Sequence, residues 1–294
     1  MIIKAISIIG LPLVALIIGF FFLGLSRKVI ARIHRRYGPP ISQPLIDVIK
    51  LISQESISHG KIFDMGVILS LAGSVILVLF IPFGGIAPLA TSGDLLVVIY
   101  LMLLAPLGVA LSGGEAANPN VSIGISRKMM LALGYEVPFL FSLLAVMTWY
   151  KTTSLVEVVK AQQSFLWGLF YLPLPAVAYF MILPAMLGIR PFDIVSAPQE
   201  IASGTAVEYG GRYLALTTIQ HAFHIFIDIA LFVSLFLGGG SPFTFFLKML
   251  VVFLLGLFIN AVFPRLRIDQ AIKYCWRWPA FIAFLGLVIA FIVA

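Results

Sequence analysis

Ionisable side chains inside apolar stretches are the residues of this sequence best placed to do chemistry. Glu136 follows Arg127 by nine residues. On an α-helix that separation is about 13 Å along the axis, which carries the carboxyl well inside a hydrocarbon layer beginning near Arg127. A lone carboxyl at that depth is costly and is retained mostly where charge moves. The alternatives are a neutral acid hydrogen-bonded to a neighbouring helix and a protonatable relay; the relay is the expected role. His221, His224 and Asp228 are spaced three and four residues apart, so all three share one helical face. Two satisfied histidines with a packing aspartate, a divalent-metal site and a proton or cation path all fit that spacing. An ionisable stripe two turns long favours the path, and no metal site is expected. Glu208 and Arg212 have the spacing of an i,i+4 pair near the start of the same helix. Glu115 stands at a membrane edge, where a carboxylate is usually just solvated. Asp64 and Asp94 read as helix N-terminal caps.

Enzyme signatures are missing from the chain. It contains no phosphate-binding loop, dinucleotide fingerprint, nucleophile elbow, HExxH pair or cysteine pair. Cys275 is the only cysteine, so the chain has neither a disulfide of its own nor a ligand set for an iron–sulfur cluster. It is expected to bind no cofactor, which leaves redox centres to other chains.

The elements that position these groups follow from composition. Of 294 residues, 61% are hydrophobic and 11% charged, with mean hydropathy +1.11. A soluble domain carries about a quarter charged residues. A soluble enzyme, a disordered chain and a disulfide scaffold are therefore excluded. Apolar residues run from end to end, which excludes a single-helix anchor, and they do not alternate as β-barrel strands do. The expected fold is all-α, a polytopic membrane protein forming one membrane domain over 1–294. Eight spans are predicted, at about 5–26, 65–83, 94–112, 129–149, 165–188, 213–237, 243–263 and 278–294. The first ends at Ser26-Arg27-Lys28 and is long enough to be a span, not a cleaved signal.

Segments 27–64, 113–128, 189–212 and 264–277 hold 15 of the 19 Lys and Arg. The positive-inside rule makes that side cytoplasmic and puts both termini outside. The basic surplus thus reports topology, not nucleic-acid binding. A short amphipathic helix is predicted over 43–52, with Leu45, Ile46, Ile49 and Ile52 on one face and Asp47 and Lys50 away from it. It rests either on the membrane interface or beneath a docked partner. Residues 189–212 form a charged, glycine-containing loop, and 264–277 a basic one.

Several of these stretches resemble a known family. Arg27-Lys28, Ala31-Arg32, Arg35-Arg36-Tyr37-Gly38-Pro39, Gln43-Pro44-Leu45-Ile46-Asp47 and Lys50-Leu51 resemble the first cytoplasmic loop of the eight-helix membrane subunit of respiratory complex I. Gly134-Tyr135-Glu136-Val137-Pro138 resembles its fourth-helix motif. Arg190-Pro191-Phe192-Asp193 through Glu200, and Glu208-Tyr209-Gly210-Gly211, resemble its long quinone-side loop. Pro264 to Gln270 with Trp276 resembles its penultimate loop. The Gly38-Pro39-Pro40 form is similar to the homologous subunit of energy-converting nickel–iron hydrogenases and related ferredoxin-dependent complexes. Ser26, Ser196, Pro198 and His221 stand where complex I more often places acids.

The resemblance implies an anchoring and coupling role in a ferredoxin-linked hydrogenase-type or sulfane-reductase-type complex. Iron–sulfur clusters, and in the hydrogenase form a nickel–iron centre, would lie in partner subunits. The implied partners are small and large hydrogenase-like subunits of a peripheral arm, antiporter-like membrane subunits and membrane lipid. Carried over by motif, Glu136, Glu200 and Glu208 are relay acids, with Glu115 a weaker one. Arg190, Asp193 and Arg212 would brace the loop; Arg35, Arg36, Asp47 and Lys50 would dock the arm. The rival readings are a complex I subunit with a quinone pocket under 189–212 and a stand-alone secondary transporter, against which the absence of an inverted repeat counts.

Overall fold

The computed structural model describes residues 2–116, 118–164 and 166–293. Its helices are α1 (Ile2–Ile33), α2 (Gln43–Ile52), α3 (Lys61–Val78), α4 (Asp94–Gly114), α5 (Pro119–Tyr150), α6 (Leu155–Ser164), α7 (Gly168–Tyr171), α8 (Pro173–Met186), α9 (Pro198–Ile201), α10 (Gly211–Phe236), α11 (Pro242–Val262), α12 (Ile268–Arg277) and α13 (Pro279–Val293). A 3₁₀ turn covers Gly204–Val207. Among the described residues there is no strand, as backbone groups in lipid require. Proline opens α5, α8, α9, α11 and α13, where its missing N–H costs nothing. The Asn118 side chain accepts from Asn120 N at 3.0 Å and caps α5.

The all-α membrane architecture is as the sequence predicts, with seven helices long and apolar enough to cross a bilayer. The predicted span 165–188 is the exception; its first residue, Phe165, lies outside the described residues. The rest divides into α7 and α8 at Leu172, whose φ of −124° and ψ of 58° leave the helical region. Pro173 enforces this, because the residue before a proline is pushed out of the α conformation. The 14 residues of α8 then cover about 21 Å, short of a hydrocarbon layer of about 30 Å.

Three further boundaries differ from expectation. α5 starts ten residues before the predicted 129, so Arg127 and Lys128 ride on the helix itself. Residues 268–277 are a second amphipathic helix, α12, and not a loop; its Ala271 and Cys275 are buried. α6 covers a stretch with no predicted element, where Gln162 Nε2 donates to Ser234 O and Leu235 O at 3.2 and 2.9 Å and satisfies carbonyls at the end of α10.

The core is built around α10. From Ala222 to Phe236 every residue of this helix is buried except His224. α1, α2 and α3 pack against its first half. α5, α8 and α13 form a second group, with α12 lying along α5. The tightest pairing is α3 with α4. A Cβ on Gly66 would come within 2.5 Å of Gly108 O, and one on Gly108 within 2.6 Å of Gly66 O. Ser70 Oγ donates to Ala105 O at 3.2 Å across the same seam. Small residues allow backbones this close in a membrane, where dispersion and interhelical hydrogen bonds hold helices together.

α2 follows its predicted range. Pro44 and Val48 are its buried residues, and Val48 packs with Phe20, Ala215 and Ala222. The predicted apolar face of Leu45, Ile46, Ile49 and Ile52 stays exposed. α2 therefore presents apolar side chains both to the bundle and outward.

Candidate functional site

A small cavity in the middle of the bundle joins the ionisable residues of α5 and α10. Its volume is about 20 Å³, and it is lined by Met102, Tyr135, Glu136, Phe139, Met186, His224 and Asp228. That volume is enough for a single water. Glu136 is the eighteenth of the 32 residues of α5, and Asp228 the eighteenth of the 26 of α10. Both carboxyls thus sit near the centres of their helices. His224 Nε2 and both carboxylate oxygens of Asp228 are buried without a hydrogen-bond partner. Glu136 is half-buried and makes no hydrogen bond among the described residues. Tyr179 donates to the backbone carbonyl of Asp228 at 3.1 Å, which leaves the side chain free. Unpaired polar atoms of this kind are rare in native cores and mark a site that needs water, a proton or an ion.

The predicted stripe on α10 is divided by its surroundings. His224 and Asp228 face the cavity, whereas His221, one turn earlier, is exposed. His221 still feels Lys128 and Arg27, and the Lys128 ammonium also acts electrostatically on His224. Lys128 has no ion-pair partner among the described residues. Sequence reasoning passed over it, although its place two turns before Glu136 puts it toward the same side of α5.

The loop acids are held in two other places. Glu200 accepts from Arg127 Nη1 at 2.9 Å, and Arg265 Nη1 lies 3.5 Å from its other oxygen. Asp193 accepts from Arg265 Nη2 at 2.9 Å and from Ser196 Oγ at 2.6 Å. Asp193 thus bonds the loop to the 264–268 segment. Arg190 contributes a backbone bond, its N–H donating to Asn260 Oδ1 at 3.3 Å. Arg127 and Arg265 are the cations that make this network; in the sequence they read only as charges at helix ends.

The second half of the loop is fastened to α3 and α4. His59 Nε2 lies 3.1 Å from Glu208 Oε2. The predicted Glu208–Arg212 pair does not form, because Glu208 precedes α10 and extended Gly210 separates it from the helix. Arg212 makes no ion pair among the described residues. Tyr213 donates to Asp64 Oδ1 at 2.6 Å, and Ser58 donates to the same oxygen at 2.8 Å. Tyr209 hydrogen-bonds Ser112 and is buried against Phe63; burial pushes its phenol above the ordinary pKa. Asp64 is not the cap expected for α3: Glu115 takes that place, accepting from Phe63 N at 2.5 Å. Asp94, at the start of α4, accepts from Thr91 Oγ1 at 2.9 Å and is fully buried. Asp47 accepts from Arg27 at 3.2 Å and from Gln43 at 2.8 Å, which ties α2 to α1. Arg35, Arg36 and Lys50 are exposed.

Four predicted relay acids therefore occupy four separate environments. What connects them is helix geometry. α5 carries Arg127, bonded to Glu200, and Glu136, in the cavity, about 13 Å apart on one rod. α10 carries Tyr213, bonded to Asp64, and then His224 and Asp228. A displacement of either half of the loop is thus transmitted along a helix to the cavity.

The loop network has a pH dependence of definite sign. The Arg127 guanidinium beside Glu200, with Arg265 adding to it, holds its carboxyl below the ordinary value of 4.5. A carboxyl lowered in the folded state contributes stability above its ordinary pKa and loses it as pH falls through the folded value. Because Glu200 is half-exposed, the effect is modest, a few-fold in local opening. Amides of 194–203, corrected for intrinsic exchange, are expected to be better protected at pH 6 than at pH 3, and Arg127→Gln should abolish the difference. Equal protection of the unaltered loop at both pH values would remove Glu200 from the bracing role.

Comparison with known proteins bears out the likeness read from the motifs. A profile of the NADH dehydrogenase family matches residues 5–291. A membrane subunit of the NADH-quinone oxidoreductase of Protochlamydia amoebophila is 31% identical over 291 residues, covering 90% of this chain and 89% of the relative. The corresponding subunit of the F(420)H(2) dehydrogenase of Methanosarcina mazei is 26% identical over 89% of this chain and 86% of its own. A chain in the solved structure of the membrane-bound sulfane sulfur reductase, an archaeal respiratory membrane complex, is 40% identical, with a TM-score of 0.93 over 98% of this chain and 99% of that one. The protein belongs to the NADH dehydrogenase family, as a multi-pass membrane subunit of a respiratory complex of the complex I type.

Proposed function

We propose that this chain anchors a peripheral redox arm and couples its electron transfer to translocation of H⁺ or Na⁺, within a complex of the sulfane-reductase or hydrogenase type. The observation that carries this reading is the cavity of Glu136, His224 and Asp228, unpartnered in mid-bundle and joined through α5 to the Glu200 network. A redox step near the loop alters the field on its carboxylates, and each pKa unit of such a change is worth about 1.4 kcal/mol. Arg127 passes the change to α5 and biases the protonation and hydration of the cavity.

The branch is favoured by the 40% identity to the sulfane sulfur reductase chain, against 26% and 31% for the two dehydrogenase relatives. Two hydroxyls that stand where a quinone site would carry acids are already spent: Ser26 Oγ donates to Leu23 O and Ser196 Oγ to Asp193. Iron–sulfur clusters and any nickel–iron centre belong to partner subunits. Arg35 and Lys50, exposed beside α2, suit docking of the arm, with Arg36 close by. The outward apolar face of α2 meets lipid or the arm's underside. The basic loops lie on the cytoplasmic side of the cell membrane, with both termini outside, and antiporter-like subunits flank the bundle.

Affinity purification through a tag on this chain, followed by reconstitution in liposomes, tests the proposal. Iron–sulfur subunits should co-purify, and a reduced electron donor should drive an ion gradient that an ionophore collapses. A chain that purifies alone and moves ions unaided would establish the secondary-transporter reading instead.

A further inference from the structure

A second, much larger cleft lies away from the bundle cavity. Its volume is about 740 Å³, and it opens where the ends of α1 and α11 meet the turn after α8. Ile30 and Ile189 supply its apolar part; His34, Arg36 and Arg190 supply its basic part. Arg36 and Arg190 form no ion pair with any described residue. Asp193 is the one carboxylate among the described residues of the wall, and Arg265 and Ser196 already occupy its oxygens. Asn260 completes the lining and holds the Arg190 backbone in place.

The level of the cleft identifies the class of ligand. Ile30 and Asn260 lie in the last turns of two membrane-crossing helices, so the cleft sits where hydrocarbon gives way to headgroups. Unpaired arginines above apolar side chains at that level match a phosphate with acyl chains beneath it. Arginine binds phosphate through a planar two-pronged fork, and basic pockets between helix ends recognise acidic headgroups. Free phosphate offers the same anion without the apolar contact, and an acidic peptide lacks the chains. We propose that this cleft is a binding site for the phosphate headgroup of an anionic lipid. The proposal is independent of the coupling role assigned to the bundle cavity.

Native mass spectrometry of the purified, delipidated complex tests it, with dioleoyl phosphatidylglycerol, dioleoyl phosphatidylcholine and inorganic phosphate as probes. The unaltered complex should retain phosphatidylglycerol in preference to phosphatidylcholine. Arg36→Gln with Arg190→Gln should weaken that retention roughly thirtyfold, the size expected for two charges at an anionic membrane surface. Ile30→Trp fills the cleft without altering charge and should also displace the lipid; it decides the matter if the double variant fails to assemble. Equal retention of both lipids, or retention unaltered by the variants, overturns the proposal. So does displacement of phosphatidylglycerol by millimolar phosphate or by a soluble quinone analogue, or cross-linking of a partner's acidic segment inside the cleft.

Discussion

Glu136→Gln is expected to leave the complex assembled and its turnover with soluble electron donors within about twofold of normal, while ion translocation falls on the order of a hundredfold, the scale of a positioned proton-transfer group. Glutamine keeps the volume of the side chain and its capacity to hydrogen-bond, so the packing of Tyr135, Phe139 and Met186 around the cavity is preserved. What it removes is the ability to take and release a proton. Electron transfer lies outside this chain's chemistry, whereas the cavity depends on a titratable oxygen facing His224 and Asp228. The measurement is the ratio of ion flux to electron flux in proteoliposomes. Unchanged flux with Glu136→Gln would exclude Glu136 from the path, and an equal fall in both rates would make it a structural residue.

Gly66→Leu is expected to prevent assembly of the complex. Overpacking by a few methylenes ordinarily costs about 1–3 kcal/mol because side chains shift. Here the obstacle is backbone: the first added carbon meets Gly108 O and Ser112 N at 2.5 Å. α3 and α4 would have to separate. That movement would also disturb Phe63, which donates to Glu115, and Ser112, which hydrogen-bonds Tyr209. The second half of the 189–212 loop would lose its seat. Size-exclusion chromatography of tagged complex checks this, with Gly10→Leu as the control, because the Gly10 position meets no atom within 4 Å. Equal recovery of both variants would show that the α3–α4 seam tolerates separation.

Much of the architecture was legible because the bilayer imposes a simple rule. Apolar runs of about 20 residues must be helices, so composition and run length established the membrane class and most of the spans. The break at Leu172 was also written in the sequence, as Pro173, but hydropathy does not register a proline that shortens a span. α6 and α12 escaped for a related reason: neither is apolar along its length, and a charged helix resembles a loop when run length is the signal. The 43–52 helix was legible from its periodicity. Which of its faces meets the bundle was not, because both carry apolar residues.

The candidate site was legible by residue type and not by partnership. Glu136, His224 and Asp228 stood out because ionisable groups are costly inside lipid. The amino-acid order alone thus determined that this is a helical membrane protein with acids and histidines at mid-depth, since those conclusions need only local composition and helical periodicity. Only the tertiary structure decided that α5 and α10 bring three of these residues to one cavity and leave His221 outside. It alone assigned Glu200 to Arg127, Glu208 to His59 and the α3 cap to Glu115. Such pairings join residues 52 to 149 positions apart, and distance in space between helices is set by close packing of small and large side chains, which no local pattern encodes.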